Sequence, residues 1–295
     1  MSDFVLTCCS TVDLSNEYLK ERNLPYVSFH VQLGKDTYAD DMGQSITQEE
    51  LFKRMLDGED AKTSQVTVQQ YIDFFKEFLE EGKDVLHIAL SSGISGTYNS
   101  ACVAAEELKE EYPERKLYIV DSYAASAGFG LIMETLADMR DNSADIEELR
   151  SWIETNKKRM HHWFFTTDLT FFIKGGRVSK TSGVVGNLLG ICPLLNVDNE
   201  GKLVPREKVR GKKKVIKRTL EKMIEHAENG TEYSGKCFIS QAGCYDDARA
   251  LADKIDETFP SLDEKVQIYP IGATIGCHTG PGTVALFFWG DERVD

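Results

Sequence analysis

Residues 84–111 read "DVLHIALSSGISGTYNSACVAAEELKEE", and this stretch decides the fold. An apolar run from Val85 to Leu90 has the character of a buried strand, and residues 97–111 carry a helical pattern. Between them stand two Ser-Gly pairs. A tight turn behind a capped helix needs one serine and one glycine, so the surplus asks for another explanation. In open α/β sheets, ligands bind outside the carboxyl ends of the strands. The helix start there offers unpaired N–H groups and the positive end of a dipole. Ser92, Ser95 and Thr97 add hydroxyl donors, and Gly93 and Gly96 let a ligand approach the backbone. The stretch is therefore read as an anion site. It is neither a Walker loop nor G-x-G-x-x-G. Gly93-Ile94-Ser95-Gly96-Thr97 falls one residue short of the G-x-S-x-G nucleophile elbow, which keeps a serine hydrolase or acyltransferase as the alternative.

The pattern extends in both directions. "DFVLTCC" and "KLYIVDS" read as strands, and "YVSFHVQLGKDTYAD" as a strand and hairpin turning at Gly34. "TQEELFKRMLDG" is a helix with Thr47 as N-cap and Gly58 past its end. "TVQQYIDFFKEFLEEG" is a helix with Val68, Ile72, Phe75 and Leu79 at helical spacing, and 124–140 is another. Strand–helix alternation predicts a mostly parallel sheet with covering helices over residues 1–160. Residues 161–295 have a different texture. "NVDNEGKLVPREKV" reads as a hairpin, a helix is expected from about 212 to 229, and two strand–helix units follow. The fold class is α/β with two domains, the second an α+β unit with an antiparallel sheet.

The bulk composition narrows the function. The chain has 295 residues, 41% of them hydrophobic and 28% charged, and a net charge of −14. Such a balance argues against nucleic acid, whose phosphates attract clustered Lys and Arg. No secretory signal or membrane-length apolar run is present, so a cytoplasmic location is expected. The seven cysteines form no C-x-x-C pair, so neither zinc spacing nor a disulfide framework is assigned. Cys102, Cys192 and Cys237 are read as buried small hydrophobes. His161 and His162 are adjacent on a strand and face opposite ways, so the pair itself cannot grip one metal; each is given a core or surface role.

Three further pieces carry chemistry-bearing residues. "AKTSQ" places Thr63 and Ser64 in a loop before a helix. "KGGRVS" sets Arg177 behind two glycines, suited to an anion or to a helix C-cap. "GCHTGPG" holds His278 and Thr279 in a Gly/Pro loop too short to be an element. The segment 206–218 contains eight basic residues, Arg210 and Lys212 to Lys214 among them, against the single acid Glu207. In so acidic a chain this reversal is either a solvated face or a surface for transient contact with anionic membrane or a partner.

Taken in order, "KTSQ", "LSSGISGTYNSA", "IVDS", "KGGRVS", "KVRGKKK" and "HTGPG" resemble the DegV family of bacterial fatty-acid-binding proteins. Members of that family include the lipid-carrier subunit of a fatty-acid kinase. The resemblance spans nearly the whole chain. It implies a long-chain fatty acid such as palmitate held between the two domains, no cofactor, no catalytic residue, and a separate kinase as partner. It further implies that Thr63 and Ser95 hydrogen-bond the carboxylate. Ser64, Gly96, Thr97, Arg177, Arg210, His278 and Thr279 are the expected head-group or partner contacts. Under the alternative, Ser95 is the nucleophile of a hydrolase and His278 its base.

Overall fold

The computed structural model describes residues 4–179 and 190–293. Its first sheet joins β1 (Phe4–Cys9), β2 (Tyr26–Val27), β6 (Asp84–Ala89) and β7 (Leu117–Asp121) in the order β2-β1-β6-β7, all parallel. A small antiparallel sheet has β3 (His30–Leu33) between β4 (Asp36–Ala39) and β5 (Ala61–Ser64). The third sheet has six strands: β8 (Met160–Phe165), β9 (Ile191–Val197), β10 (Leu203–Arg210), β11 (Cys237–Gln241), β12 (Gln267–Pro270) and β13 (Val284–Trp289). Their order is β10-β9-β8-β13-β11-β12, and only the β11–β12 pair is parallel. This is the mixed α/β architecture the sequence predicts.

Helices α1 (Asn16–Glu21), α3 (Val68–Glu80), α4 (Thr97–Glu111), α5 (Ser126–Asp141) and α6 (Ile146–Asn156) share the core of the first sheet, whereas α2 (Gln48–Leu56) packs on the small sheet. The remaining helices are α7 (Thr170–Lys174), α8 (Lys212–His226), α9 (Tyr245–Thr258) and α10 (Ala273–Thr279). In α3, Thr67 and Gln70 form a reciprocal capping box, and Tyr71, Phe75 and Leu79 make the buried stripe. Tyr71 and Phe75 both pack their rings 5.3 Å from that of the buried His87. Val68 and Ile72, placed on the core stripe by their spacing, lie on its half-buried edge.

One helix determines where the site forms. In "SAGFGLIMETLA", almost every residue of α5 from Ser126 to Ala137 is buried, because the first sheet lies on one side and the six-stranded sheet on the other. A helix apolar all round suits that sandwiched place. Close approach needs small residues: a Cβ on Gly128 would stand 2.5 Å from His162 Nε2 and 2.6 Å from Phe287 Cδ1. A cavity opens beside the start of α5. The other face of the six-stranded sheet packs on α8 and α9.

Four expectations about local structure are corrected. The segment "AKTSQ" is not a loop up to Ser64: residues 61–64 form β5, paired with β3 through Thr63↔Val31. Four residues cannot announce a strand whose partner lies thirty residues earlier. The "GCHTGPG" stretch is not all loop either, since His278 and Thr279 close α10. Its N-cap residue, Gly272, has no side chain to cap it, and the helix rests on α2, β3 and α7, so tertiary packing creates it. The helix expected to reach 229 ends at His226. Cys192 and Cys237 are buried as read, whereas Cys102 is half-exposed.

Candidate functional site

The first strand–loop–helix stretch uses its small residues differently from the expectation. Gly93 and Gly96 admit protein, not ligand. A Cβ on Gly93 would lie 2.5 Å from the backbone of Glu200 and Gly201 at the β9–β10 turn, and one on Gly96 would meet the Gln65 amide at 2.6 Å. Ser91 Oγ donates to Gly201 O at 2.8 Å, latching the loop to that hairpin. Ser92 N donates to the Asp121 carboxylate at 3.1 Å. Thr97 is fully buried, with its hydroxyl 2.8 Å from that of Tyr71, and so faces the core behind the loop. Of these hydroxyls, Ser95 lines the cavity. Its Oγ accepts from Thr97 N at 3.2 Å, which leaves the O–H proton for another acceptor.

The cavity has a volume of about 490 Å³, within the ~300–1,000 Å³ usual for small-molecule sites. Among the described residues its wall is mostly apolar, with Phe164 and Phe287 from the six-stranded sheet, Phe172 and Ile275 from α7 and α10, and Phe29, Leu90 and Ile94 from connecting segments. Polar groups include Thr63, Ser64, Ser95, Arg177, His278 and Thr279. The structure thus brings six of the sequence-predicted positions to one cavity. Gly96 and Thr97 do not line it. Arg210 is exposed on the edge strand β10 and does not line it. Lys180 to Gly183, the end of the glycine-rich motif "IKGGRVSKTSG", lie outside the described residues.

Three of these groups interlock. Thr63 Oγ1 lies 2.8 Å from His278 Nε2. Burial, with a smaller contribution from the Arg177 charge, lowers the His278 pKa to about 4, so the imidazole is neutral at pH 7. When Nε2–H donates to Thr63, the threonine proton is released for a ligand. Among the described residues the buried His278 Nδ1 has no hydrogen-bond partner, and a Cβ on Gly175 would stand 2.3 Å from it. No carboxylate among the described residues orients this ring, as a general base of the triad type requires. Arg177 donates to Ile94 O at 3.2 Å and to Gly175 O at 2.6 Å, tying α7 to the serine loop. Its guanidinium stays charged. Thr63, Arg177 and His278 also border an outer hollow of about 370 Å³ that holds Lys62 and Lys174.

A buried carboxylate pair underlies this arrangement. Asp13 accepts from Gly272 N at 3.0 Å and from Ser126 Oγ; Asp40 accepts from Ala273 N at 3.1 Å and Ser10 Oγ at 3.1 Å. The two anchor the start of α10 to the segments that follow β1 and β4, and α10 carries His278. Burial raises the Asp13 pKa to about 8, with the Asp40 charge adding to the effect, so its carboxyl is largely protonated at pH 7. Asp13 and Ser126 both have left-handed backbone, at φ 51° and 57°. No spacing in the sequence links residues 13, 40, 126 and 272.

A fold of this type with an apolar cavity and a hydroxyl-rich end invites comparison with known proteins. The family model described as "Uncharacterised protein, DegV family" matches residues 6–291. The chain belongs to the DegV family. A DegV domain-containing protein of Clostridium perfringens is 35% identical over 293 residues, 99% of each chain. A DegV lipid-binding protein from Thermotoga maritima is 29% identical, with a TM-score of 0.82 and full coverage of both chains. A DegV family protein from Thermus thermophilus, described for its fatty-acid binding, is 26% identical with a TM-score of 0.87, over 97% of this chain and 99% of that one. The motif resemblance is thereby established at the level of the family.

The basic segment is neutralised in part on this DegV fold. Arg218 pairs with Glu207, Glu221 and Glu225, Lys217 with Glu221, and Lys212 with Asp247. No helix among the described residues is long and apolar enough to cross a membrane. His162 lines the cavity and is buried, whereas His161 faces the opposite side of β8.

Proposed function

We infer that the protein binds a long-chain fatty acid, such as palmitate, in the 490 Å³ cavity, with its carboxylate held by Thr63 and Ser95. One observation carries this reading: an apolar chamber ends in the Thr63 and Ser95 hydroxyls beside His278 and the half-buried guanidinium of Arg177. Burying a sixteen-carbon chain is worth a gross ~11 kcal/mol at about 0.8 kcal/mol per methylene. Lost translational freedom and ligand ordering reduce that figure. A buried carboxylate needs hydrogen bonds to remain charged. The hydroxyls supply them, and the Arg177 charge complements the anion. Arg177, Thr63 and His278 also border the outer hollow, so a head group at this wall stands next to the surface. We infer from the sequence motifs that a separate kinase phosphorylates the carboxylate there, the protein acting as carrier rather than enzyme. The hydrolase alternative requires Ser95 to pair with His278, yet His278 pairs with Thr63.

The test is mass spectrometry of lipid extracted from protein purified from a bacterial host, followed by uptake of added palmitate after delipidation. Near-stoichiometric long-chain fatty acid is expected. Protein that arrives empty and takes up no palmitate would overturn the reading.

A further inference from the structure

Three side chains remote in sequence converge on the face of the six-stranded sheet opposite the cavity. His161 comes from β8, His226 from the last turn of α8, and Asp291 from the segment after β13. Their meeting follows from the topology. β13 runs antiparallel to β8 with Phe288 opposite His161, so the chain leaves β13 beside the start of β8. Asp291 N then donates to His226 O at 3.0 Å. Gly290 makes that approach feasible, because a Cβ there would stand 2.2 Å from His226 O and 2.9 Å from His161 Cδ2.

We propose that His161, His226 and Asp291 form a binding site for a first-row transition-metal ion of the zinc class. His161 Nε2 lies 3.0 Å from Asp291 Oδ1, and His226 Nδ1 lies 3.3 Å from the same oxygen. All three donor atoms fall within 4.8 Å of one another. Ligands on a tetrahedral zinc, with bonds of about 2.0–2.1 Å, stand roughly 3.3 Å apart. The imidazole centres are 5.0 Å apart with their planes 19° from parallel. Two rings directed at one ion, each centred about 3.2 Å from it, would span about that distance. Two imidazoles and one carboxylate favour zinc, cobalt, nickel or copper over magnesium or calcium. Three protein ligands leave one position for water.

The donors are also held in place. His161 packs flat on Phe288, at 5.1 Å and 5°, and His226 on Trp163, at 5.8 Å and 12°. His161 is buried, His226 partly so, and Asp291 is 60% exposed, which gives an ion a route in from solvent. Nearby Arg159 is paired with Glu228 and Lys222 with Glu225, which moderates their repulsion of a cation. The competing explanation is a hydrogen-bonded staple in which both imidazoles donate to Asp291 and no metal is involved.

Untagged, chelator-stripped protein separates the two. Zn²⁺ should bind at one ion per chain by calorimetry and raise Tm by about 5 °C at a hundredfold excess over its Kd. Co²⁺ should give visible d–d bands without a thiolate charge-transfer band. His226→Ala and Asp291→Asn should each weaken Zn²⁺ binding by at least ~10-fold. Their Tm values in chelator should stay close to wild type, since both residues are partly or largely exposed. Absence of Zn²⁺ binding, an equal Tm rise in His226→Ala, or a thiolate band placing the ion on cysteine would each overturn the proposal.

Discussion

His278 Nε2 and Thr63 Oγ1 are 2.8 Å apart, although 215 residues separate them along the chain. β5 brings the threonine and α10 the histidine, and the bond joins the two elements at the polar end of the cavity. Its direction determines what the site can do. A neutral histidine that donates to Thr63 turns the hydroxyl proton towards the ligand. Thr63→Val and Ser95→Ala should each weaken fatty-acid binding roughly ten- to hundredfold, because a hydrogen bond to a charged group is worth ~1.5–3 kcal/mol. Displacement of a fluorescent fatty acid, with circular dichroism to check folding, measures this. Unchanged affinity in both variants would remove these residues from the head-group site.

The buried histidine also makes an acid-side prediction. Its folded pKa of about 4 lies below the ordinary 6.5, so the unfolded chain binds the extra proton. The stability from keeping His278 neutral is fully present above pH 6.5 and is lost as pH falls towards 4. In ligand-free protein, the Tm of His278→Gln should therefore gain on wild type across that window. A gap constant from pH 7 to pH 4 would show that His278 titrates normally.

Asp13 predicts the opposite trend. Its folded pKa of about 8 exceeds the ordinary 3.8, so the folded state holds the extra proton. The associated stability is present below about pH 4 and is lost as pH rises to 8. The Tm of Asp13→Asn relative to wild type should climb over this range and level off above it. A gap independent of pH would mean that the carboxyl is already ionised in the fold.

Gly93 is tested by a single methyl group. Gly93→Ala places a Cβ against the backbone of Glu200 and Gly201, which cannot yield as a flexible side chain can. Overpacking of this kind costs about 1–3 kcal/mol. Thermal denaturation should reveal the loss, and displaced Ser95 should weaken ligand binding as well. A variant as stable as wild type would show that the hairpin is free to move aside.

The basic face separates by ion pairing. Lys213→Glu with Lys214→Glu should leave Tm nearly unchanged, since exposed single charges are worth under ~1 kcal/mol. Arg218→Ala should lower it more, because this guanidinium meets three glutamates. Fatty-acid exchange with anionic vesicles, measured at low salt, should slow in the lysine pair if these residues contact lipid surfaces. Equal exchange rates would leave them as solvated charges.

Local pattern makes much of this protein legible in its sequence. The run Val85–Leu90 and the helix from Thr97 depend on apolar periodicity, which neighbouring residues express by themselves. The same holds for Thr47 as a cap, for the turns at Gly34 and Gly201, and for the change of texture near residue 160. The motifs also located Thr63, Ser95, Arg177 and His278 as candidates. Tertiary structure decided how they relate. Residues 61–64 become a strand only because β3 lies alongside, and α10 exists only because α2, β3 and α7 support it. Gly93 of the serine loop receives a hairpin from a hundred residues further on, a use that no local reading could distinguish from room for a ligand. Asp13 with Asp40, and His161 with His226 and Asp291, are pairings across sheets and chain ends. Side-chain chemistry is written residue by residue, but contact between distant residues is set by packing and strand order, to which spacing along the chain is blind.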